Sequence, residues 1–170
     1  PKPSSAASDV YKRQVVSRIA VTAPPVQVVS DLSRGSWSAA SGTTAHGHYT
    51  RTLIVNAHRN ELYIQVGSIG NVDTDEYRSA IRRMSILDAR GSSNASLPID
   101  FKHLARVAKG VRNTVGMSID PYSSGTVMYG VDNGPDNAQR YGADISTDNP
   151  GEECNRFDLT QNDVMYGYPY

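Results

Sequence analysis

The polar residues most able to do chemistry fall in two stretches, Gly110-Val111-Arg112-Asn113-Thr114-Val115-Gly116-Met117 and Asp132-Asn133-Gly134-Pro135-Asp136. Each follows an apolar run, where a strand gives way to a loop and side chains can meet a ligand. Arg112 carries a planar, permanently charged fork suited to carboxylate or quinone oxygens, and Asn113 beside it offers both donor and acceptor. The Gly134-Pro135 turn bares two carbonyl oxygens, the hard ligands that calcium takes. Upstream, His48 supplies an imidazole that titrates near neutrality and can accept a proton. His46, two positions earlier, falls on the same side of an extended segment and rivals it.

Each group also has an ordinary use. A loop histidine commonly has no task, and an arginine at a strand end commonly makes a surface ion pair of little worth. An Asn-Gly-Pro turn needs no ligand. Glu152, Glu153 and Asp144 read as solvated carboxylates with a structural role. Asp73, Asp75 and Glu76 lack the spacing and loop glycine of an EF-hand and are expected in a solvated loop. Cys154 falls inside an expected strand, where a small buried thiol is expected rather than a nucleophile.

The order of these motifs, together with Gly47-His48-Tyr49-Thr50-Arg51-Thr52-Leu53 upstream and Asn149-Pro150-Gly151-Glu152-Glu153 and Tyr166-Gly167-Tyr168-Pro169 downstream, resembles one family. It is similar to the soluble quinoprotein sugar dehydrogenases, six-bladed β-propellers that hold pyrroloquinoline quinone (PQQ) and calcium. The nearest branch is that of fungal pyranose dehydrogenase and sorbosone dehydrogenase. The resemblance runs from about His48 to the C-terminus. It implies that His48 is the catalytic base, that Arg112, Asn113 and Asn133 contact the quinone, with Arg112 near its reactive carbonyl, and that the backbone carbonyls of Gly134 and Pro135 bind calcium. The implied substrate is a pyranose or keto-aldose oxidised at its anomeric carbon, and the implied electron acceptor is a protein such as a cytochrome. Family members keep an acidic residue just before the base; here Gly47 stands there, so what orients the imidazole is open. They also clamp the quinone's carboxylates with Lys and Arg from later blades, so this chain alone is expected to be inactive.

The elements that must position these groups follow from composition and turn signals. Ten tyrosines among 170 residues, many valines, and abundant Gly, Ser, Asn and Asp suit short strands separated by tight turns. Strands are expected over Val15–Thr22, Val26–Leu32, Arg51–Asn56, Glu61–Val66, Ala80–Leu87, Leu104–Val111, Val115–Asp120, Thr126–Val131 and Glu152–Leu159, with Ala23-Pro24-Pro25 breaking the ladder between the first two. Loops are expected at Ser33–Gly47 around Trp37, Gly67–Tyr77, Asp88–Pro98, Pro121–Gly125 and from Pro135 to Pro150. The fold class is all-β, and at four strands per blade the chain holds roughly two to three blades of a six-bladed β-propeller.

Formal net charge is zero, which removes the electrostatic case for nucleic acid or an anionic membrane as a partner. The single cysteine cannot make an internal disulfide, so thiol count does not decide the redox compartment. The family resemblance implies a secreted or, in a bacterium, periplasmic protein. Residues 1–14 are expected to lie outside the domain, which would start near Val15. Asp9-Val10-Tyr11-Lys12-Arg13-Gln14 is what gat-gtg-tat-aag-aga-cag encodes, the end of a transposase adapter for sequencing libraries; the alternative is a natural Ser/Ala-rich linker ending in a short basic strand.

Two rivals come from other classes. A non-catalytic propeller for protein or glycan binding would need no His48. A calcium-dependent lactonase would want several inward carboxylates on its metal, whereas the best metal turn here offers carbonyls.

Overall fold

The computed structural model describes residues 16–20, 23–30, 48, 51–75, 77–89, 96–137, 139–145 and 152–169. The expected leader at 1–14, the loop around Trp37, His46, Gly47, Glu76 and the Asn149-Pro150-Gly151 segment lie outside those residues. In chain order the elements are β1 (Val16–Ala20), β2 (Ala23–Ser30), β3 (Leu53–Asn56), β4 (Glu61–Val66), β5 (Ala80–Ser85), the one-turn helix α1 (Ile86–Ala89), β6 (Ile99–Asp100), β7 (Ala105–Lys109), β8 (Thr114–Ile119), β9 (Val127–Asp132), β10 (Gln139–Arg140), β11 (Ala143–Asp144), β12 (Glu153–Asp158) and β13 (Val164–Met165). A short 3-10 turn, Phe101–His103, joins β6 to β7.

The strands make separate open sheets: β1-β2-β6, β13-β7-β5-β4-β3, β12-β9-β8 and the small β10-β11 ribbon. The chain is all-β apart from short turns, and open stacked sheets of this kind are what part of a propeller presents. The five-stranded sheet is the middle layer. From β4, Leu62, Ile64 and Val66 pack with Val28, Val29, Met84 and Phe101 on one side, while Tyr63 joins Ile81, Val107, Met128 and Phe157 on the other. Both faces are covered, so β4 is buried from Leu62 to Val66 and its sequence shows a near-continuous apolar run instead of alternation.

Turn chemistry sets the register. Asn60 closes the β3–β4 hairpin with φ 54°, and Ser124 and Gly125 close the β8–β9 turn with φ 53° and 79°.

Four details differ from expectation. Pro24 and Pro25 do not interrupt a strand but lie inside β2. That strand pairs with β1 through an irregular register, with shifts between Val16 and Ser17 and between Arg18 and Ala20, and such irregularities are where prolines are tolerated. The strand expected to reach Leu87 stops at Ser85, where Ser85 Oγ accepts from Leu87 N–H (3.1 Å) and the chain turns into α1. Cys154 is exposed, because β12 is an edge strand paired only with β9. Finally, Val164–Met165 form an extra strand, β13, parallel to β7. Its continuation is tied down by Tyr166 N–H to Lys109 O (2.9 Å) and Tyr168 N–H to Gly110 O (3.0 Å).

Candidate active site at one end of the sheets

The antiparallel register of β8 and β9 opposes Thr114 to Asp132, so the residues just before β8 and just after β9 must share one end of the sheet. Arg112 and Asn113 therefore meet Asn133, Gly134 and Pro135. Asn113 Nδ2 donates to Asn133 Oδ1 (2.9 Å), and Asn133 N–H donates to Asn113 O (3.2 Å). The end of β4 arrives at the same place, with Ser68 N–H donating to Arg112 O at 2.9 Å and His48 N–H donating to Ser68 O at 3.1 Å. Gly67 lies between them: a Cβ there would stand 2.9 Å from His48 Cβ and 2.8 Å from Asn113 Oδ1. The structure thus brings together His48, Arg112, Asn113, Asn133 and Gly134.

Arg112 is buried at 3 % exposure, and the two terminal nitrogens of its guanidinium are held by neighbours. Nη1 donates to Gly134 O at 2.5 Å, and Nη2 donates to Asn71 Oδ1 at 3.0 Å and Asp136 Oδ2 at 2.9 Å. This is not the surface ion pair of an unremarkable strand-end arginine. Among the described residues, Arg112 Nε and Asn113 Oδ1 are buried and lack a hydrogen-bond partner, and unmade bonds of this kind cost stability unless a ligand completes them. A hollow of ≈ 220 Å³ opens on Arg112 and the Asn133–Pro135 turn, lined also by Asp132 and Tyr168 among others; His48 and Asn113 do not line it. Among the described residues no three His, Cys, Asp or Glu side chains come together as a metal site, so a metal at this turn would rely on carbonyl oxygens.

Asp132, which the sequence marks only as part of the turn motif, has a structural task. Its carboxylate is 4 % exposed and accepts N–H bonds from both Arg112 (Oδ2, 2.8 Å) and Asn113 (Oδ1). Burial pushes its pKa up to about 6, against the two N–H bonds that favour the charged form. His48 is held the other way: burial and then the Arg112 charge lower its pKa, although the Ser68 carbonyl works against this, so the neutral imidazole is favoured at neutral pH.

Three further residues escaped the sequence. The polar pattern of Gly67–Tyr77 predicts a solvated loop, yet its Asn71 bonds Arg112, and its Asp73 is 7 % exposed. Asp73 takes a two-pronged bond from Arg78 (2.5 and 2.8 Å) and N–H bonds from Ile69 and Asp75. Nothing in the local pattern separates this Asp from the exposed Asp75 two residues on; only the fold of the loop does. Ser68 carried no signal beyond its place at a strand end. Tyr168, quoted for the resemblance, walls the hollow and donates its hydroxyl to Asn71 O at 3.0 Å. Glu152 and Glu153 are exposed, as is Asp144, in keeping with solvated carboxylates.

Comparison with known proteins points one way. A family model described as TrAA12-like matches residues 16–170. A pyrroloquinoline quinone-dependent sugar dehydrogenase of Hypocrea jecorina (strain QM6a) is 32 % identical over 129 residues, which is 72 % of this chain and 30 % of that protein. The calcium and iodide structures of Trichoderma reesei Carbohydrate-Active Enzymes Family AA12 align with TM-scores of 0.65 and 0.64, at 28 % and 29 % identity, over 85 % of this chain and 34 % of each of those. The chain therefore spans about a third of the length of these relatives.

Proposed function

The chain belongs to the TrAA12-like family, and on that premise we propose that it is part of a PQQ- and calcium-dependent oxidoreductase that oxidises a pyranose or keto-aldose at its anomeric carbon. The observation that carries this is the meeting of a half-buried histidine, a buried guanidinium, two paired amides and a carbonyl turn at one end of the sheets: His48, Asn113 and the Arg112 carbonyl close on Gly67, while Arg112, Asn133, Gly134 and Pro135 line a hollow.

The residues fit the proposed groups. Arg112 Nε and Asn113 Oδ1 offer an unused donor and acceptor to a planar, oxygen-rich ligand, and Arg112 offers it positive charge. Gly134 O already takes one bond from Arg112, but a carbonyl has a second lone pair, and Pro135 shares the lining of the hollow; Asp136 and Asp132 nearby offset the positive charge that a calcium ion would add. When bound, the quinone supplies a two-electron acceptor for hydride and calcium a Lewis acid that polarises it.

The chain's own part in the reaction is to move a proton and hold charge. The neutral His48 imidazole takes the proton of the anomeric hydroxyl as the hydride leaves the same carbon, so a pyranose loses two electrons and two hydrogens and its anomeric carbon becomes the carbonyl of a lactone, the ring itself unchanged. Arg112, fixed by Gly134, Asn71 and Asp136, would hold its positive charge beside an oxygen of a bound quinone and favour electron density arriving there. Asn113 donates one side-chain hydrogen bond to Asn133 and leaves its own Oδ1 for orientation. Electrons then pass to an acceptor such as a cytochrome.

The test is sugar-dependent dye reduction by the longer protein reconstituted with PQQ and calcium, beside the 170-residue chain treated alike. The longer protein is expected to reduce the dye and the short chain is not. A longer protein that binds the quinone yet oxidises no aldose would overturn the proposal, and activity of the short chain would refute the need for further blades.

A further inference from the structure

The His48 imidazole has an anchor twenty residues downstream. His48 Nδ1 is 3.1 Å from the Ser68 carbonyl oxygen and 3.0 Å from Ser68 Oγ. A carbonyl oxygen can only accept, so Nδ1 must carry the hydrogen. The hydroxyl agrees: Ser68 Oγ donates its own hydrogen to Gly70 O at 2.7 Å, which turns a lone pair toward Nδ1. The Nδ1–H is thus shared between two oxygens of one residue. We infer that Ser68 is the positioning residue of His48, fixing the imidazole as the Nδ1–H tautomer and reserving Nε2 as the atom that takes the substrate's proton.

Three features make Ser68 fit for this. It is fully buried, so water does not compete for its oxygens. Its carbonyl also accepts the His48 backbone N–H at 3.1 Å, which pins the residue as well as the ring. Its own N–H is tied to Arg112 O at 2.9 Å, so the anchor of the base and the arginine segment move as one unit. When Nε2 takes the proton, the ring becomes an imidazolium with both nitrogens protonated. The Nδ1–H bond to Ser68 O then strengthens, since its donor has become a cation. With Nδ1 already bearing hydrogen toward Ser68, Nε2 is the ring atom left to take a proton.

This inference rests on the proposed role of His48, but its test does not. Two-bond proton–nitrogen correlation spectra of the full chain, 15N-labelled and held above the His48 pKa, report which ring nitrogen bears hydrogen. Unrestrained histidine favours Nε2–H, whereas His48 is expected to show an Nδ1–H majority, its tautomer ratio shifted by roughly tenfold, the factor that one ordinary net hydrogen bond supports. In Ser68→Ala the carbonyl remains and the hydroxyl is gone, so the excess is expected to fall, and Ser68→Thr is expected to restore it. An Nε2–H signature for His48 in the unaltered chain overturns the inference whatever the variants do, and an Nδ1–H excess unmoved by Ser68→Ala overturns the part given to the Ser68 side chain, leaving a carbonyl that any residue would supply. A full-length protein that oxidises no sugar would sink the dehydrogenase proposal while leaving the tautomer intact, so the two failures are told apart.

Discussion

The Asn71 side chain pairs with both backbone groups of Asp136, Oδ1 accepting its N–H at 2.7 Å and Nδ2 donating to its carbonyl at 2.6 Å. Two loops 65 residues apart in sequence are joined as if by a rung of β-sheet, and the same Oδ1 receives Arg112 Nη2. The proposed calcium turn, Gly134-Pro135, is therefore held from one end by β9 and from the other by an amide on a different sheet's loop.

Asn71→Ala is expected to free that turn. The bonds lie at an exposed loop, so the stability cost should be no more than about 1–2 kcal/mol. Calcium affinity should fall more than stability, because the two carbonyls lose their fixed spacing. Terbium luminescence sensitised by nearby tyrosine, with Tyr168 on the hollow's wall, would measure it. Unchanged terbium affinity in a folded Asn71→Ala chain would show that Asn71 does not set the turn.

The Asp73–Arg78 pair is expected to carry a distinct part of the acid sensitivity. Burial pushes the Asp73 carboxyl up, but Arg78 and the N–H groups of Ile69 and Asp75 together outweigh it and leave the pKa below the ordinary carboxylate value. A carboxyl lowered in the folded state stabilises fully above its unfolded pKa near 4, and that contribution is lost as pH falls through the folded value. Asp73→Asn should thus cost about 2–4 kcal/mol at pH 7, since Arg78 is left largely buried with its chief partner removed. The gap from the unaltered chain should narrow as pH is lowered below about 4. Urea midpoints measured from pH 7 to pH 2 would show it, and a gap constant across that range would contradict it.

Gly110→Ala is expected to peel the C-terminal segment from the site. Gly110 has φ +68°, and a Cβ there would stand 2.7 Å from Met165 Cε and Sδ and 2.8 Å from Tyr168 O. The left-handed backbone costs about 1 kcal/mol for a non-glycine residue. Beyond that, the methionine tip can yield but the Tyr168 carbonyl is backbone, so residues 164–169 should lift. Hydrogen exchange at the Tyr166 and Tyr168 amides, both bonded to the Lys109–Gly110 backbone, should accelerate while that of β4 stays slow. Equal acceleration in both would mean general unfolding instead.

What was legible in the sequence and what was not divides along physical lines. Turn residues and apolar runs fix strands locally, and Glu61–Val66 and the β8–β9 hairpin fall where their patterns place them. The quoted motifs at Arg112 and Asn133 meet because hairpin register is itself a local property. Asn71, Asp73 and Ser68 were not legible, since their partners lie on other sheets or are reached only once a loop has folded back. The β13 strand was missed for a related reason: two residues gain no pattern of their own, and only the parallel edge of β7 makes them a strand. Cys154 shows the limit of burial read from strand membership, because an edge strand in an open sheet leaves its outer side to solvent.

Gly67 offers the sharpest separation of site geometry from stability. It needs no unusual backbone conformation, so an alanine there carries no conformational penalty, and its whole effect is the space its Cβ takes between His48 Cβ, Asn113 Oδ1 and Arg112 O, at 2.9, 2.8 and 3.2 Å. Contacts under 3 Å force something to move. The Arg112 carbonyl is held by Ser68 N–H, so the yielding groups are the two side chains proposed to act on substrate and quinone. Gly67→Ala should cost about 1–3 kcal/mol in stability, the usual range for overpacking. In the longer protein it should lower kcat/KM by about 100-fold, comparable with misplacing a reacting group by an ångström. His48→Ala should lower it by about 100- to 10,000-fold with little change in stability, as loss of a general base does. If Gly67→Ala left turnover intact while the protein stayed folded, His48 and Asn113 would not flank a common reacting centre, and the dehydrogenase assignment of this end of the sheets would lose its geometric support.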